Sequence, residues 1–169
     1  MSGPAGDGWV AAPSVGGRQW AAVEKAAAAE RGRQEEEMAR RAAAARGDLV
    51  CEGQQPGEPG GNNTGGFVLT KPLQIVNRRA VWQAADGKDL YAFFASNSKW
   101  YISDGEDIRT GKAAGCVASA AAEPDTLTPD QVQGGWEAAD MSCPAGDRWV
   151  AAPSLRVRQW TAVEKAAAA

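Results

Sequence analysis

Short apolar runs alternate with turn signals between Phe67 and Val157, a pattern typical of β-strands joined by tight connections. Asp86-Gly87, a dipeptide strongly favoured in hairpin turns, separates two of these runs. The predicted strands are Phe67–Thr70, Ala80–Ala84, Leu90–Ala95, Lys99–Ser103, Gly115–Ala120, Trp136–Ala139, Trp149–Ala152 and Leu155–Val157. The pattern predicts a mainly β fold class, either a small antiparallel β-barrel or a sandwich.

The third and fourth predicted strands point their side chains in directions that depend on the turn between them. A two-residue turn beginning at Ser96 gives one strongly apolar face, which we then expect to be core: Tyr91, Phe93, Trp100 and Ile102. The opposite face then carries Phe94, Lys99 and Tyr101. A three-residue turn exchanges the two faces.

Residues 18–46 are rich in Ala, Glu and Arg, which favour a helix, and Gly47 follows where a C-terminal cap is expected. The apolar stripe of this long helix is thin: Trp20, Val23 and Ala27 share a face, and then Gly32 interrupts it. The helix is either a semi-rigid spacer or an Ala-lined helix that pairs with another copy.

Residues 47–66 contain seven glycines and two prolines among twenty positions. This composition disfavours regular structure and is typical of a flexible chain. We therefore predict a Gly/Pro-rich flexible linker between the helix and a β-module that spans residues 67–157.

The last 29 residues of the chain repeat the first 29, with 23 identical positions. We call residues 1–29 the N-terminal copy and residues 141–169 the C-terminal copy. The C-terminal copy has Leu155 and Val157 where the N-terminal copy has Val15 and Gly17. Because it buries more apolar area and has less glycine, we expect the C-terminal copy to complete the sheet.

The repeat predicts a unit of about 140 residues, consisting of a helix, a linker and a β-module. Residues 1–17 are then the remnant terminal strand of a preceding repeat, with Trp9 in solvent, and residues 158–169 begin the next helix. In a rival interpretation, the N-terminal strand adds to the sheet of a neighbouring chain, which gives head-to-tail self-association.

The β-module resembles a small aromatic-rich module of long tandem-repeat proteins from marine unicellular algae of the haptophyte and dinoflagellate type. The similarity covers residues 67–157 and depends on Trp82, Tyr91, the Trp100-Tyr101-Ile102 run, Trp136 and Trp149-Val150. In those proteins the module is an accessory or scaffold unit beside other domains. The resemblance implies a scaffold role and identifies no functional residues.

The formal net charge is −3, which gives no basic surface typical of nucleic-acid binding. No run of about eighteen apolar residues is present to span a membrane. Cys51, Cys116 and Cys143 are too scattered for a disulfide framework or a zinc site. Because the N-terminus also lacks the pattern of a secretory signal, we expect a cytoplasmic protein.

Histidine is absent, which excludes His-based catalytic triads. Residues 105–112 are similar to a phosphate-binding loop, but five residues instead of four separate the glycines and Ala113 replaces the magnesium-binding Ser or Thr. Asp104, Glu106 and Asp107 lack the bidentate glutamate of an EF-hand. We predict no enzyme activity, no catalytic residues, no bound metal and no cofactor.

Aromatic side chains are the one group in this sequence whose abundance suggests a role in binding a ligand. If Phe94 and Tyr101 are exposed beside Lys99, they form a ligand-binding patch for a peptide or a sugar ring. Alternatively, a second sheet or the helix covers them. The sequence predicts a non-catalytic interaction or scaffold module with a protein partner, or else an accessory module that binds carbohydrate or peptide through exposed aromatics.

Overall fold

A computed structural model describes residues 3–55, 57–110, 116–140 and 148–168. The side chains of residues 3–19 and of Arg148 lie outside this description. The chain divides into two compact units, one before and one after the peptide bond between Glu37 and Met38.

The predicted long helix is confirmed as α1, which spans Gly3–Arg46. It ends as the sequence indicates, because Gly47 adopts φ +67° and its N–H donates to the carbonyl of Ala43 at 2.8 Å. Glycine reaches this left-handed conformation without the steric cost of a Cβ atom. Arg33 forms an ion pair with Glu30, one turn earlier on the exposed surface of the helix.

The strand predicted within residues 1–17 is wrong, since the backbone is helical from Gly3 onward. Pro13 lies inside this helix at a cost of about 3 kcal/mol, and each interior glycine costs about 1 kcal/mol. Helix propagation explains the extension, because each residue added to an existing helix gains a hydrogen bond without a new nucleation cost. The side chain of Trp9 lies outside the described residues, so its predicted exposure stays a prediction.

The predicted antiparallel β fold is confirmed as one nine-stranded, strongly curled half-barrel sheet and a small separate hairpin. The strands are β1 (Leu49–Glu52), β2 (Gly65–Leu69), β3 (Ile75–Val76), β4 (Arg79–Ala80), β5 (Trp82–Ala84), β6 (Tyr91–Phe94), β7 (Trp100–Ser103), β8 (Val117–Ser119), β9 (Trp136–Asp140), β10 (Arg148–Ala151) and β11 (Arg156–Gln159). The sheet order is β10-β9-β8-β7-β6-β5-β2-β1-β11, and β3 pairs only with β4. Helix α2 (Gly105–Thr110) follows β7, and α3 (Ala162–Ala168) follows β11.

The connection between β10 and β11 requires the sheet to curl. These strands are consecutive in the chain but occupy opposite edges of the sheet, and only residues 152–155 join them. Five extended residues reach about 17 Å, whereas nine flat strands would span about 38 Å. Gly53 lies against this link, because a Cβ atom there would come within 1.7 Å of the Ser154 carbonyl oxygen.

The residues predicted as a flexible linker contribute a strand to the sheet. β1 pairs with β2 on one side and with β11 on the other, and it buries Leu49 and Cys51. The prediction failed at these residues because three of their glycines, Gly53, Gly60 and Gly66, allow close packing. At Gly66, a Cβ atom would come within 2.4 Å of the Trp160 ring. The backbone therefore needs glycine here for space.

Two apolar clusters cover the two faces of the sheet. The larger one centres on Trp82 and Trp100, whose rings meet edge to face at 6.2 Å. The indole N–H of Trp82 donates to the carbonyl of Gly47, and that of Trp100 donates to Thr126 Oγ1. The smaller cluster contains Val81, Phe93, Ala95, Tyr101, Ile108 and Ala118.

The turn between β6 and β7 contains three residues, so the facing derived from a two-residue turn is wrong. The N–H of Ala95 donates to the carbonyl of Lys99 at 2.9 Å, and Ser98 adopts φ +63°. A left-handed third residue is typical of three-residue hairpin loops. Phe94 consequently pairs with Trp100. The larger cluster receives Ala92, Phe94, Trp100 and Ile102, and the smaller one receives Phe93 and Tyr101.

The C-terminal copy forms both edges of the sheet, as its richer apolar content predicts. β10 pairs with β9, and β11 pairs with β1. The next helix begins at Ala162, four residues later than expected, because β11 continues to Gln159. Thr161 and Glu164 then form a capping box, in which each backbone N–H donates to the other side chain.

Candidate functional site

The exposed patch expected from Phe94, Lys99 and Tyr101 is not formed. Phe94 is 6% exposed and Tyr101 is 5% exposed, and they belong to different clusters on opposite faces of the sheet. The Lys99 ammonium group lies 3.5 Å from a carboxylate oxygen of Glu137. The predicted ligand site depends on exposure of both aromatic rings, and neither ring is exposed.

Other side chains cover both aromatic rings. The Arg79 guanidinium lies 4.9 Å from the centre of the Phe94 ring. It also donates to the carbonyls of Thr126 and Pro124, at 2.7 and 2.8 Å. Tyr101 stacks on Phe93 on the other face, and its hydroxyl accepts a hydrogen bond from the Asn97 amide. Arg79 therefore has a structural role, and no sequence pattern indicated it.

The acidic residues after β7 begin a helix. Asp104 Oδ1 accepts hydrogen bonds from the backbone N–H groups of Glu106 and Asp107, the geometry of an N-terminal cap of α2. The Asp107 carboxylate accepts a hydrogen bond from the Ser103 hydroxyl. Among the residues that the structure describes, no group of three His, Cys, Asp or Glu side chains is arranged to bind a metal ion.

The two described cysteines are shielded from solvent to different degrees. Burial raises the pKa of the Cys51 thiol to about 12, and burial also raises the pKa of Cys116. Because the thiolate is the reactive form, neither environment activates a nucleophile. Cys143 lies outside the described residues.

A charged network joins β1, β11 and α3; we call it the edge cluster and define it as Asp48, Glu52, Arg158, Glu164 and Lys165. Arg158 pairs with Glu52 at 2.8 Å and with Glu164 at 2.5 Å, and Lys165 pairs with Asp48 at 2.7 Å. The hydrogen bond from Arg158 lowers the pKa of Glu164 to about 2, and Arg158 lowers the pKa of Glu52 in the same way.

Trp160 places an aromatic ring beside the edge cluster. Its backbone N–H donates to the carbonyl of Asp48 at 2.9 Å, and its ring lies over Gly66. Leu155 enters the larger apolar cluster, where it is 4% exposed. We call residues 148–165 the docking segment and the gap that they fill between the β9 and β1 edges the docking site.

The N-terminal copy carries most of the same groups. Arg18, Trp20, Glu24 and Lys25 are the equivalents of Arg158, Trp160, Glu164 and Lys165. Trp20 is 68% exposed on α1, and Val23, one turn later, is also exposed. The chain therefore contains the anchoring groups of the docking segment twice, once inside a docking site and once on a solvent-facing helix.

The sequence contains a signal for this site that the alternation of apolar and polar residues in the strands does not reveal. The Arg and the Glu six residues later recur in both copies, and only the C-terminal copy has Thr161 three residues before the Glu. A Thr followed at that distance by Glu is a helix-start signature. This signature predicts the start of α3. The ion pair between Arg158 and Glu52 does not follow from it, because the fold brings these two distant residues together.

In the described part of the chain, no helix is long and apolar enough to cross a membrane. Comparison of the sequence with protein-family models and curated proteins, and of the fold with solved structures, finds no match.

Proposed function

We propose that this chain is a non-catalytic interaction or scaffold module that binds another protein through its N-terminal copy. The observation that supports the proposal is the exposure of Trp20, at 68%, in a segment whose near-duplicate is packed against the sheet. Large aromatic side chains are enriched at the centres of protein interfaces and are costly to leave in water.

Trp20 does not stand alone on the helix surface. Val23 is 58% exposed and lies three residues later, so the two side chains are neighbours on one face. Such an apolar pair on a surface helix is suited to a groove or a sheet edge on a protein partner.

The carbohydrate-binding alternative loses Phe94 and Tyr101 as stacking platforms, because both are buried, and it would have to use an exposed tryptophan such as Trp20. The duplicate of Trp20, Trp160, packs against protein at Gly66, so a protein remains the partner that we propose. The resemblance to algal tandem-repeat modules agrees with a scaffold role, and both that kinship and a cytoplasmic location stay predictions.

Affinity capture from an extract of the source cells, followed by mass spectrometry, tests the proposal. The bait is the full chain, compared with the double variant W20A/V23A. M38A is the matched control, because Met38 is also exposed on α1. We expect wild type and M38A to capture the same partner proteins in similar amounts. W20A/V23A should capture at least tenfold less of each. Equal capture by all three baits would contradict the proposal, as would hydrolytic activity in a broad substrate screen.

A further inference from the structure

We propose that residues 8–25 bind the docking site of a second copy of this chain, where they adopt the two-strand and helix-start form of the docking segment. This inference rests on the proposed function and names the partner. The result is a head-to-tail contact in which one chain supplies the segment and the other supplies the edges of β9 and β1.

The anchoring groups of the docking segment are retained in the N-terminal copy. Trp149, which meets Tyr101 edge to face at 6.2 Å, corresponds to Trp9. Arg158 and Glu164 of the edge cluster correspond to Arg18 and Glu24. The two segments differ at five positions, and the N-terminal copy has the smaller side chain at each: Arg148, Leu155, Arg156, Val157 and Thr161 correspond to Gly8, Val15, Gly16, Gly17 and Ala21. The pairing of the strand backbones does not depend on those side chains.

The identical hexapeptide Trp-Val-Ala-Ala-Pro-Ser occurs in both copies with different backbone conformations. Residues 9–14 are helical, whereas residues 149–151 form strand and residues 152–154 form the link. The helix over residues 3–17 contains two prolines and five glycines, and these two residue types are the weakest helix formers. Conversion to the strand form therefore gives up little helical stability.

The N-terminal copy cannot fill the docking site of its own chain while α1 remains helical. Docking would place Trp20 beside Asp48, as Trp160 is placed now. Residues 21–47 would then have to begin and end at nearly the same point. A continuous helix over Ala22–Arg46 instead separates its ends by roughly 36 Å. The docking site that this segment can fill is therefore one in another molecule.

The C-terminal copy competes for every docking site. It is tethered to its own site, which gives it a high effective concentration, and Leu155 and Val157 give it more apolar area. Exchange between chains should therefore increase when the N-terminal copy is given the same side chains. This competition determines the variants to test.

Disulfide trapping tests the exchange, because position 17 corresponds to Val157, which pairs with Cys51. The full chain carries V15L/G16R/G17C together with C116S/C143S, and it is unfolded and refolded at high concentration with a glutathione redox pair. We expect a dimer linked between position 17 of one chain and Cys51 of the other, identified by peptide mass spectrometry. Neighbouring positions on paired strands lie within disulfide range.

The matched control is V15L/G16C/G17V in the same background, because position 16 corresponds to Arg156, which pairs with Glu52 on the other face. We expect at least tenfold less linked dimer from this control. V157C/C116S/C143S is the positive control and should form an internal disulfide with Cys51. Equal dimer yields from the variants with cysteine at position 17 and at position 16 would overturn the inference. So would the absence of dimer from a folded V15L/G16R/G17C chain.

Light scattering gives a readout without disulfide chemistry. After refolding at high concentration, V15L/G16R/G17V should raise the weight-average molar mass at least 1.5-fold above that of the monomer, and adding W20A should reverse the increase. A strict monomer at every concentration would overturn the self-association. If other proteins are nevertheless captured through Trp20, the proposed function survives without this partner.

Discussion

At the scale of single residues, glycines and one arginine determine how the sheet edge is built. Gly66 and Gly53 leave room for the Trp160 ring and the Ser154 carbonyl, respectively, so each permits a contact that any side chain would block. Arg158 bridges Glu52 and Glu164 and so connects a strand to a helix start. None of these roles follows from residue type alone, because each depends on a partner distant in sequence.

Gly66→Ala should destabilise the protein by about 1–3 kcal/mol, because the added Cβ atom would overlap the Trp160 ring. Gly134→Ala is the matched control, since the nearest atom to its Cβ position is at an ordinary 3.5 Å. Urea unfolding, monitored by tryptophan fluorescence, measures the stability of both variants. Equal unfolding midpoints for the two variants would show that Trp160 moves aside without cost.

Glu164→Gln should remove a contribution to stability that depends on pH. The pKa of Glu164 is lowered from 4.5 to about 2 in the folded protein. The carboxylate therefore stabilises the fold above about pH 4.5, and this contribution is lost as the pH falls toward 2. Denaturant unfolding of wild type and variant should differ at pH 7 and converge near pH 2. Glu24→Gln, at the equivalent position on α1, is the control, and a difference that does not change with pH would contradict the assignment.

At the scale of secondary-structure elements, one substitution between the copies accounts for a helix start. Thr161 caps α3 together with Glu164, whereas the equivalent Ala21 has no side-chain oxygen and lies within the uninterrupted helix α1. Composition correctly predicted helix after each of these positions. The point at which α3 begins follows from the capping geometry.

Thr161→Ala should cost about 1 kcal/mol, because α3 loses its N-terminal cap. Thr161→Ser keeps the hydroxyl and should retain most of the stability. Hydrogen exchange measured by NMR should show faster exchange in the first turn of α3 for the alanine variant only. Unchanged protection in Thr161→Ala would show that packing alone positions the helix.

At the scale of the whole molecule, the β-sheet unit depends on the C-terminal copy, which provides the strands at both edges. Leu155 lies in the link between those strands and belongs to the larger apolar cluster. The curl of the sheet, the link and the apolar cluster therefore depend on one another.

Leu155→Ala should destabilise the fold by about 2–5 kcal/mol, the range typical of a leucine truncated in a core. Val163→Ala, at a position that is 80% exposed, should change stability by less than about 0.5 kcal/mol. Thermal and urea unfolding measure both variants. A small effect of Leu155→Ala would mean that the link does not contribute to closing the sheet.

The sequence by itself determined the properties that depend on neighbours along the chain. These are the apolar runs of most strands, the Asp86-Gly87 turn and the helix that ends before Gly47. Tertiary structure decided the rest. β1 is a strand because it pairs with residues about a hundred positions away, as Leu49 pairs with Gln159. The same hexapeptide is helix in one copy and strand and link in the other, because only the C-terminal copy fills the gap between the two sheet edges. Local periodicity carries no information about such long-range contacts, whose free energy selects between conformations of similar local stability.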